Sequence, residues 1–322
     1  MTLPSCFDKQ GSQFAWDSTS LKAAYACSRL YYYQLVASYE DPTASVHLIF
    51  GGLYAKALET YHKLVIADGL PHDEALLTIV QQTMVASWVH NLDAEGNALP
   101  GTGHAVQFYH SAKTRENLIR TIVWYLEEFR VSDFTTLVTS EGKPAVEFTF
   151  KLEADNGIIL CGHNDRIVEY EGHYFVQDQK TTGGTVSAYS FEQYDLDIQM
   201  SLYTFAGSAI FSTPIKGVMI DVAQIAVGFS RFMRGFTHRS PDQLEEFYSS
   251  IMAKIAEVQE QSRRFADTGN PDAFPMNYTA CGNYGGCPFR KVCRQPKQFR
   301  DNFLRSNMQK RSVPWNPLVS RD

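Results

Sequence analysis

Residues 158–182 carry the strongest pattern in the chain. Two runs rich in β-branched and aromatic residues, 158–170 and 173–182, flank the dipeptide Glu171-Gly172 and read as a β-hairpin. If Glu171 and Gly172 form a tight turn, Tyr170 pairs with His173, and counting back sets Asp165 across from Asp178. Side chains alternate faces along a strand, so Lys180 shares a face with Asp178.

Around this hairpin the pattern is helical on one side and mixed on the other. Ser18-Thr19-Ser20 offers N-caps for a helix over 18–39, with Cys27 in its middle. The run HLIFGGLYAKALETYHKLV starts with a glycine pair and becomes a helix in which Leu53, Ala57, Leu58 and Tyr61 share a face, with Glu59 at the margin. Amphipathic helices follow over 73–88 and 113–129, with loop composition over 91–103 between them. A strand over 145–152 leads through Asp155-Asn156-Gly157, a hairpin signal, into the strand with Asp165. That count puts Glu147 opposite Arg166 and away from Asp165, as a structural ion-pair partner. After a loop comes a helix that places Gln199 and Tyr203 on one face. Strands over 216–221 and 224–236 and a long helix from Pro241 to about 265 complete the order. The expected division is 1–50, an N-terminal helical segment; 51–240, the core, with a helical insertion over about 70–135; and 241–322, a helix, a cysteine-bearing segment and a tail.

Composition is that of an ordinary globular protein, 44% hydrophobic and 20% charged, with net charge −6. That balance argues against a nonspecific nucleic-acid coat. It is uneven: from residue 290 onward nine Lys or Arg meet two Asp, a net +7 on an acidic body near −13. Such a tail is either a phosphate-tracking surface or simply solvated. There is no apolar run of membrane-spanning length, and the first ten residues lack the pattern of a signal peptide. The expected location is the cytoplasm, where clustered thiols hold metal more often than they form disulfides; the chain has six cysteines.

Directly opposed carboxylates repel and call for a shared proton or a cation. A divalent metal is the natural occupant for Asp165 and Asp178. Lys180 beside it could orient or deprotonate a water or stabilise charge on a phosphate.

These residues resemble a known family. Gly162/Asp165 as G-x-x-D, Asp178/Lys180 as D-x-K, Gln199/Tyr203 as Q-x-x-x-Y and Leu58-Glu59 on the upstream helix look like the RecB-type branch of the PD-(D/E)XK nucleases. The likeness runs from about residue 21 to residue 293, leaving 91–103 unaccounted for. It implies an α/β fold with a restriction-endonuclease-like core (α-βββ-α-β, a mixed central sheet flanked by helices), a helical insertion and a C-terminal cysteine lobe. It also implies Mg2+ or Mn2+ held by Glu59, Asp165 and Asp178, with Gln199 and Tyr203 contacting DNA and Tyr203 free to stack.

Many members, including CRISPR-associated RecB-like exonucleases, AddB and phage-encoded relatives, hold an iron–sulfur cluster with one cysteine before the core and three after it. Cys27, Cys281, Cys287 and Cys293 have that arrangement. Four thiolates suit a [4Fe-4S] cluster or tetrahedral Zn2+, and the resemblance favours the cluster. Cys6 and Cys161 are left over, the latter as core. The sequence departs from the family in two places. Ala55 stands at the usual histidine of G-x-x-x-H-x-x-L-E, with His62 and His163 as candidate substitutes, and the cysteine spacing is C-x5-C-x5-C rather than C-x2-C-x5-C.

Two functions follow. One is a metal-dependent deoxyribonuclease, expected as an exonuclease in DNA processing, recombination or repair, phage-encoded in some relatives, with single strands or duplex ends as substrate and a recombination or replication protein as a further partner. The other is the same fold with a weakened site, a module that binds DNA or a protein. Ala55 favours the second; retention of Asp165, Asp178 and Lys180 favours the first.

Overall fold

The computed structural model describes residues 6–319 apart from 9–10, 44, 92, 94–98, 100, 107, 109, 140 and 212–213. Much of the loop over 91–103, the first five residues and the last three of the basic tail lie outside the described residues. The principal elements, in chain order, are β1 (Ala15–Trp16), α1 (Ser18–Ala26), α2 (Val46–Ile66), α3 (His72–Ala86) and α4 (Arg115–Glu128). Then come β2 (Val146–Glu153), β3 (Ile159–Tyr170), β4 (His173–Thr182), α5 (Ile198–Ile210), β5 (Ile215–Ile225), β6 (Ser230–His238) and α6 (Pro241–Thr268). The sheet is mixed, as expected. β3 pairs antiparallel with β4, β4 parallel with β5, and β5 antiparallel with β6. A parallel pair needs a crossover, and α5 supplies it between β4 and β5.

The chain divides into two compact units. One comprises Met1–Thr43, Thr149–His163 and Arg239–Asp322; the other comprises Ala44–Phe148 and Asn164–His238.

In the second unit, Phe50, Tyr54 and Leu58 of α2 pack with Ala75 and Ile79 of α3, Leu118 and Ile122 of α4, and Ala223 and Ile225 of β5. Burial of this apolar face holds α2 as one helix straight through the Gly51-Gly52 pair, despite a propensity cost of about 1 kcal/mol per glycine. Asp197 caps the start of α5: its side chain accepts from the backbone N–H groups of Gln199 and Met200. A Cβ at Gly207 would come within 2.9 Å of Ile215, so glycine there lets α5 lie close on β5.

The hairpin register is the one the two-residue turn dictates. Glu171 and Gly172 both have positive φ (49° and 74°), and the pairs run from Tyr170↔His173 to Arg166↔Gln177. The turn before β3 differs from expectation. Ala154 N–H reaches the Ile158 carbonyl at 2.8 Å, closing three residues, Asp155–Gly157, instead of two. A one-residue change of register turns every later side chain over. Glu147, which itself has φ 49°, falls among the neighbours of Asp165 and not on the opposite face. The expected Glu147–Arg166 ion pair is therefore corrected: Arg166 Nη1 instead lies 2.8 Å from a ring nitrogen of His62.

In the first unit the helix expected over 18–39 is interrupted. α1 ends at Ala26, Cys27 is extended (φ −169°, ψ 123°), and a short helix Ser28–Tyr31 runs into a wide π-type turn, Tyr32–Val36. Cys27 is thus not mid-helix but at a break, where its carbonyl and N–H serve two different helices. Trp16 stacks on Tyr31 with ring centroids 5.6 Å apart, and Tyr32 packs on Phe265 and Phe274. Gly269, at φ 63°, ends α6 in the left-handed conformation.

The turn generates a test of register control. A left-handed residue other than glycine costs roughly 1–2 kcal/mol. Gly172→Val should lower the unfolding midpoint, while Glu171→Asn, which tolerates positive φ, should raise it. Equal midpoints in chemical denaturation would contradict the assigned turn.

Candidate active site

Four strands and two helices of the second unit bring the polar residues together. β4 supplies Asp178 and Lys180, two residues apart on one face, and the turn-set register brings Asp165 of β3 beside them. Asp178 is 1% exposed, and Lys180 Nζ lies 2.7 Å from its Oδ2. Asp165 is half-buried, and its Oδ2 accepts the backbone N–H of Gln179 at 2.8 Å.

Gln199, the second residue of α5, ties the pair to the helix. Its Nε2 donates to Asp178 Oδ1 (3.2 Å) and to the Tyr203 hydroxyl (2.9 Å), while its Oε1 faces Lys180 Nζ at 3.5 Å. Tyr203 is only 7% exposed. Its ring has no face to offer a base, so the expected stacking role is corrected to one of holding Gln199. Tyr194 lies within electrostatic reach of Lys180 and Asp178 and was not singled out by any sequence pattern.

Loss of solvent and the charge of Asp178 push the Asp165 carboxyl up to about 7, against the opposing effects of Lys180 and the Gln179 N–H. Burial works against the Lys180 ammonium, but Asp178 and Asp165 outweigh it and hold its pKa above the ordinary lysine value. Lys180 is therefore a fixed cation at neutral pH.

Beside Asp165, a cavity of about 10 Å³ is lined by Ala55, Glu59, His62, Glu147, Arg166 and Gln179. That volume is room for roughly one water or one ion. Glu59 lies on α2 and is 9% exposed, held by Lys56 (2.7 Å) and Lys63 (2.9 Å). Both lysines reach in from the solvated side, and exposed ion pairs of this kind are worth at most about 1 kcal/mol, so they yield to a stronger ligand.

Glu147 is the acid that sequence reasoning put elsewhere; only the turn length could have found it. His62 does not replace the family histidine: its ring is engaged by Arg166, and burial with the charges of Arg166 and Arg234 drives its pKa well down. His163, two residues before Asp165 on β3, is half-buried. Behind the cavity, Asp221 Oδ2 accepts from Tyr125 (2.5 Å), Gln177 (2.7 Å) and Arg234 (2.9 Å), a buried polar layer with no signature in the sequence.

The donors fit a hard divalent cation. Three carboxylates, Glu59, Glu147 and Asp165, line a one-ion space next to Asp178 and offer the oxygen ligands such an ion takes. Among the described residues, the trio of His, Cys, Asp or Glu with ligand atoms all within 4.8 Å is a different one, His72, Asp73 and Glu127. Its imidazole already bonds Tyr61 and Glu127, and Arg130 lies against both acids, which makes it a surface ion-pair network.

The four cysteines expected to act together all lie in the first unit and are half-buried and unbridged. Cys27 Sγ accepts the Asn277 N–H (3.2 Å), and Cys287 N–H bonds the Cys281 carbonyl (3.1 Å). Burial, then Cys27 and Cys281, push the Cys287 thiol up; burial carries Cys293 to about 11, with Cys287 and Cys27 adding to it and Arg29 and Arg300 opposing. Cys287 thus lies within electrostatic reach of the other three thiols, and Cys293 within reach of Cys27. Cys6 and Cys161 are fully buried, with their thiols donating to the Trp315 and Trp16 carbonyls.

The raised carboxyl has a consequence for stability. Folded Asp165 binds its proton more tightly than an ordinary aspartate of pKa 3.8, so its contribution to metal-free stability is greatest at low pH and declines as pH rises toward 7. Asp165→Asn should therefore melt above the wild type in chelator at pH 8, by roughly 2–4 °C per kcal/mol relieved, with the gap closing near pH 4. The same variant should lose most of the Mn2+-induced rise in melting temperature. A lower melting temperature at pH 8 would contradict the repulsion.

A search of curated proteins finds no match. Among solved structures, one described as a "putative exonuclease" from Eubacterium rectale aligns at 12% identity and a TM-score of 0.41, covering 81% of this chain and 88% of that one. A family profile matches residues 16–294, most of the chain and every site residue above. The chain belongs to the PD-(D/E)XK nuclease superfamily.

Proposed function

We propose that this chain is a divalent-metal-dependent deoxyribonuclease, an exonuclease acting in DNA processing, with its centre at Asp165, Asp178 and Lys180. Membership of the superfamily supports phosphodiester hydrolysis. The observation that carries the finer reading is the Asp165 carboxyl, pushed to about 7 beside Asp178 and next to a one-ion cavity. Asp165 and Asp178, with Glu59 and Glu147, would hold Mg2+ or Mn2+. The bound ion would polarise the scissile phosphate and acidify an attacking water.

The remaining roles belong to the chain's own side chains. Lys180, kept protonated by its two acids, stabilises negative charge on the phosphate and does not act as a base. Gln199 holds the Lys180–Asp178 pair in register, and Tyr203 holds Gln199. Tyr189, 79% exposed on the same 3-10 segment as Tyr194, is the ring placed to stack on a base in place of Tyr203.

The cysteines fit a [4Fe-4S] cluster as a structural clasp. Four thiolates suit either a cluster or one tetrahedral zinc, and the arrangement of one cysteine before the core and three after it supports the cluster. Cys27, Cys281, Cys287 and Cys293 would each ligate one iron.

Degradation of single-stranded and plasmid DNA should require Mg2+ or Mn2+. Lys180→Ala should slow it by about a hundredfold or more, as loss of one charge-stabilising group does. Asp165→Ala and Asp178→Ala should abolish it in folded protein. Wild-type rates in all three would place the hydrolytic centre elsewhere, and binding without cleavage by the wild type would favour the binding-module reading.

Protein purified without oxygen should be brown, absorbing near about 400 nm. Cys27→Ser should bleach it and expose the C-terminal segment to protease, whereas Cys161→Ser should not. Colourless protein with one zinc would overturn the iron–sulfur assignment.

A further inference from the structure

Lys113 stands apart from the site already described. It is 1% exposed, yet among the described residues its ammonium touches no carboxylate: burial lowers its pKa, and its contacts there are the Thr181 hydroxyl at 3.4 Å and the face of Phe50 at 5.4 Å. A buried charge without a counter-charge is costly and is kept where a ligand supplies one. Thr181 follows Lys180 on β4 and so points to the other face of the strand, the face of Gln179, which lines the cavity beside Asp165.

The neighbours are oriented by what lies behind them. Lys113 donates to Thr181 Oγ1, which leaves the hydroxyl hydrogen to point elsewhere. His110 Nδ1 accepts the backbone N–H groups of Ala112 (3.1 Å) and Lys113 (3.0 Å), so in the neutral ring the proton sits on Nε2 and is free to be donated. His47, exposed at the start of α2, meets His110 edge to face at 5.4 Å. A Cβ at Gly51 would sit 3.4 Å from Thr181 Oγ1, so the glycine lets the helix approach this hydroxyl. The Thr181 hydroxyl thus meets a covered ammonium, with the His110 and His47 rings nearby, and none of the three is an acid. Such a set suits a phosphate: the anion contacts the hydroxyl and imidazoles, and the lysine acts from beneath through a low-dielectric layer. Gly51 precedes Ala55 by about one turn of α2, roughly 6 Å, a step commensurate with neighbouring phosphates on one strand.

We propose that Lys113, Thr181, His110 and His47 form a subsite for a second, uncut phosphate of the strand held at Asp165, Asp178 and Lys180. The proposal rests on the nuclease reading and adds a means of registering the strand. No other group among these residues takes a step in the chemistry, so Lys113 is a positioning residue.

The test is the salt dependence of binding a fluorescent single-stranded oligonucleotide in Ca2+, with and without a 5′-terminal phosphate. Each phosphate contact adds about −0.7 to the slope of log K against log salt for single strands. Lys113→Met should flatten that slope by about 0.7 and weaken binding about fivefold at low salt, with no fall in melting temperature, since an unpaired buried charge is gone. Thr181→Val, which keeps the lysine, should weaken binding in the same direction by about threefold and decides the matter if the first variant fails to fold. An effect with both oligonucleotides assigns an internal phosphate; an effect confined to the phosphorylated one assigns the strand end. A wild-type slope in a folded Lys113→Met, or wild-type affinity in Thr181→Val if that first variant does not fold, would overturn the subsite and leave the nuclease reading standing. Failure of the wild type to bind either oligonucleotide would overturn both.

Discussion

The repulsion between Asp165 and Asp178 is the constraint to which the second unit is built. Two unit charges about 4 Å apart interact by roughly 4 kcal/mol at an effective dielectric of 20, a large share of the net stability of a protein domain. Lys180 offsets part of it but is shared between both acids. The Glu171-Gly172 turn sets the register that creates the confrontation, and α5, seated closely through Gly207, fixes Gln199 against it. α2 carries Glu59 alongside, and the shifted turn before β3 adds Glu147. An arrangement that spends stability on like charges makes physical sense if a cation joins it.

The first unit answers a different need. Its loop over 274–293 buries only Phe274, Phe289 and Val292 as apolar side chains among the described residues, and loops with so little core order poorly without added constraint. Arg29 bonds the Phe274 carbonyl at 2.9 Å and Asp272 at 3.0 Å, and Asn277 caps the end of α1 through the Ala26 carbonyl at 2.9 Å. The break at Cys27 makes these contacts available, since a continuous helix would keep those backbone groups for itself. Closing a loop between residues 27 and 281 costs only slowly more than closing a short one, because the entropy grows with the logarithm of length. Strong thiolate bonds would exceed that cost.

Much of the centre was legible because its signals are local. A two-residue turn and the period-two alternation of a strand fix which side chains meet, and Asp165, Asp178 and Lys180 are read from those alone. Gln199 and Tyr203 follow from a spacing of four on a helix, although the spacing does not tell a stacking ring from a buried one. What the sequence hid depends on single-residue differences or distant partners. Three residues instead of two in the turn at Asp155–Gly157 moved Glu147 to the other side. The extended Cys27 broke a helix whose propensities were continuous through Tyr31. The layer of Tyr125, Gln177, Asp221 and Arg234 joins three strands and a helix, and nothing in any one of them names the others. Lys113 reads as the start of an amphipathic helix, and only packing shows its ammonium covered.

The most direct test of the account is a pH titration of the Asp165 and Asp178 carboxyl carbons by NMR, in metal-free protein and again with Mg2+. The pair is coupled, so its steps belong to both residues. The account predicts one step near pH 7 without metal, moved down into the ordinary carboxylate range or below when Mg2+ binds. Two ordinary steps below about pH 5, unchanged by Mg2+, would contradict it.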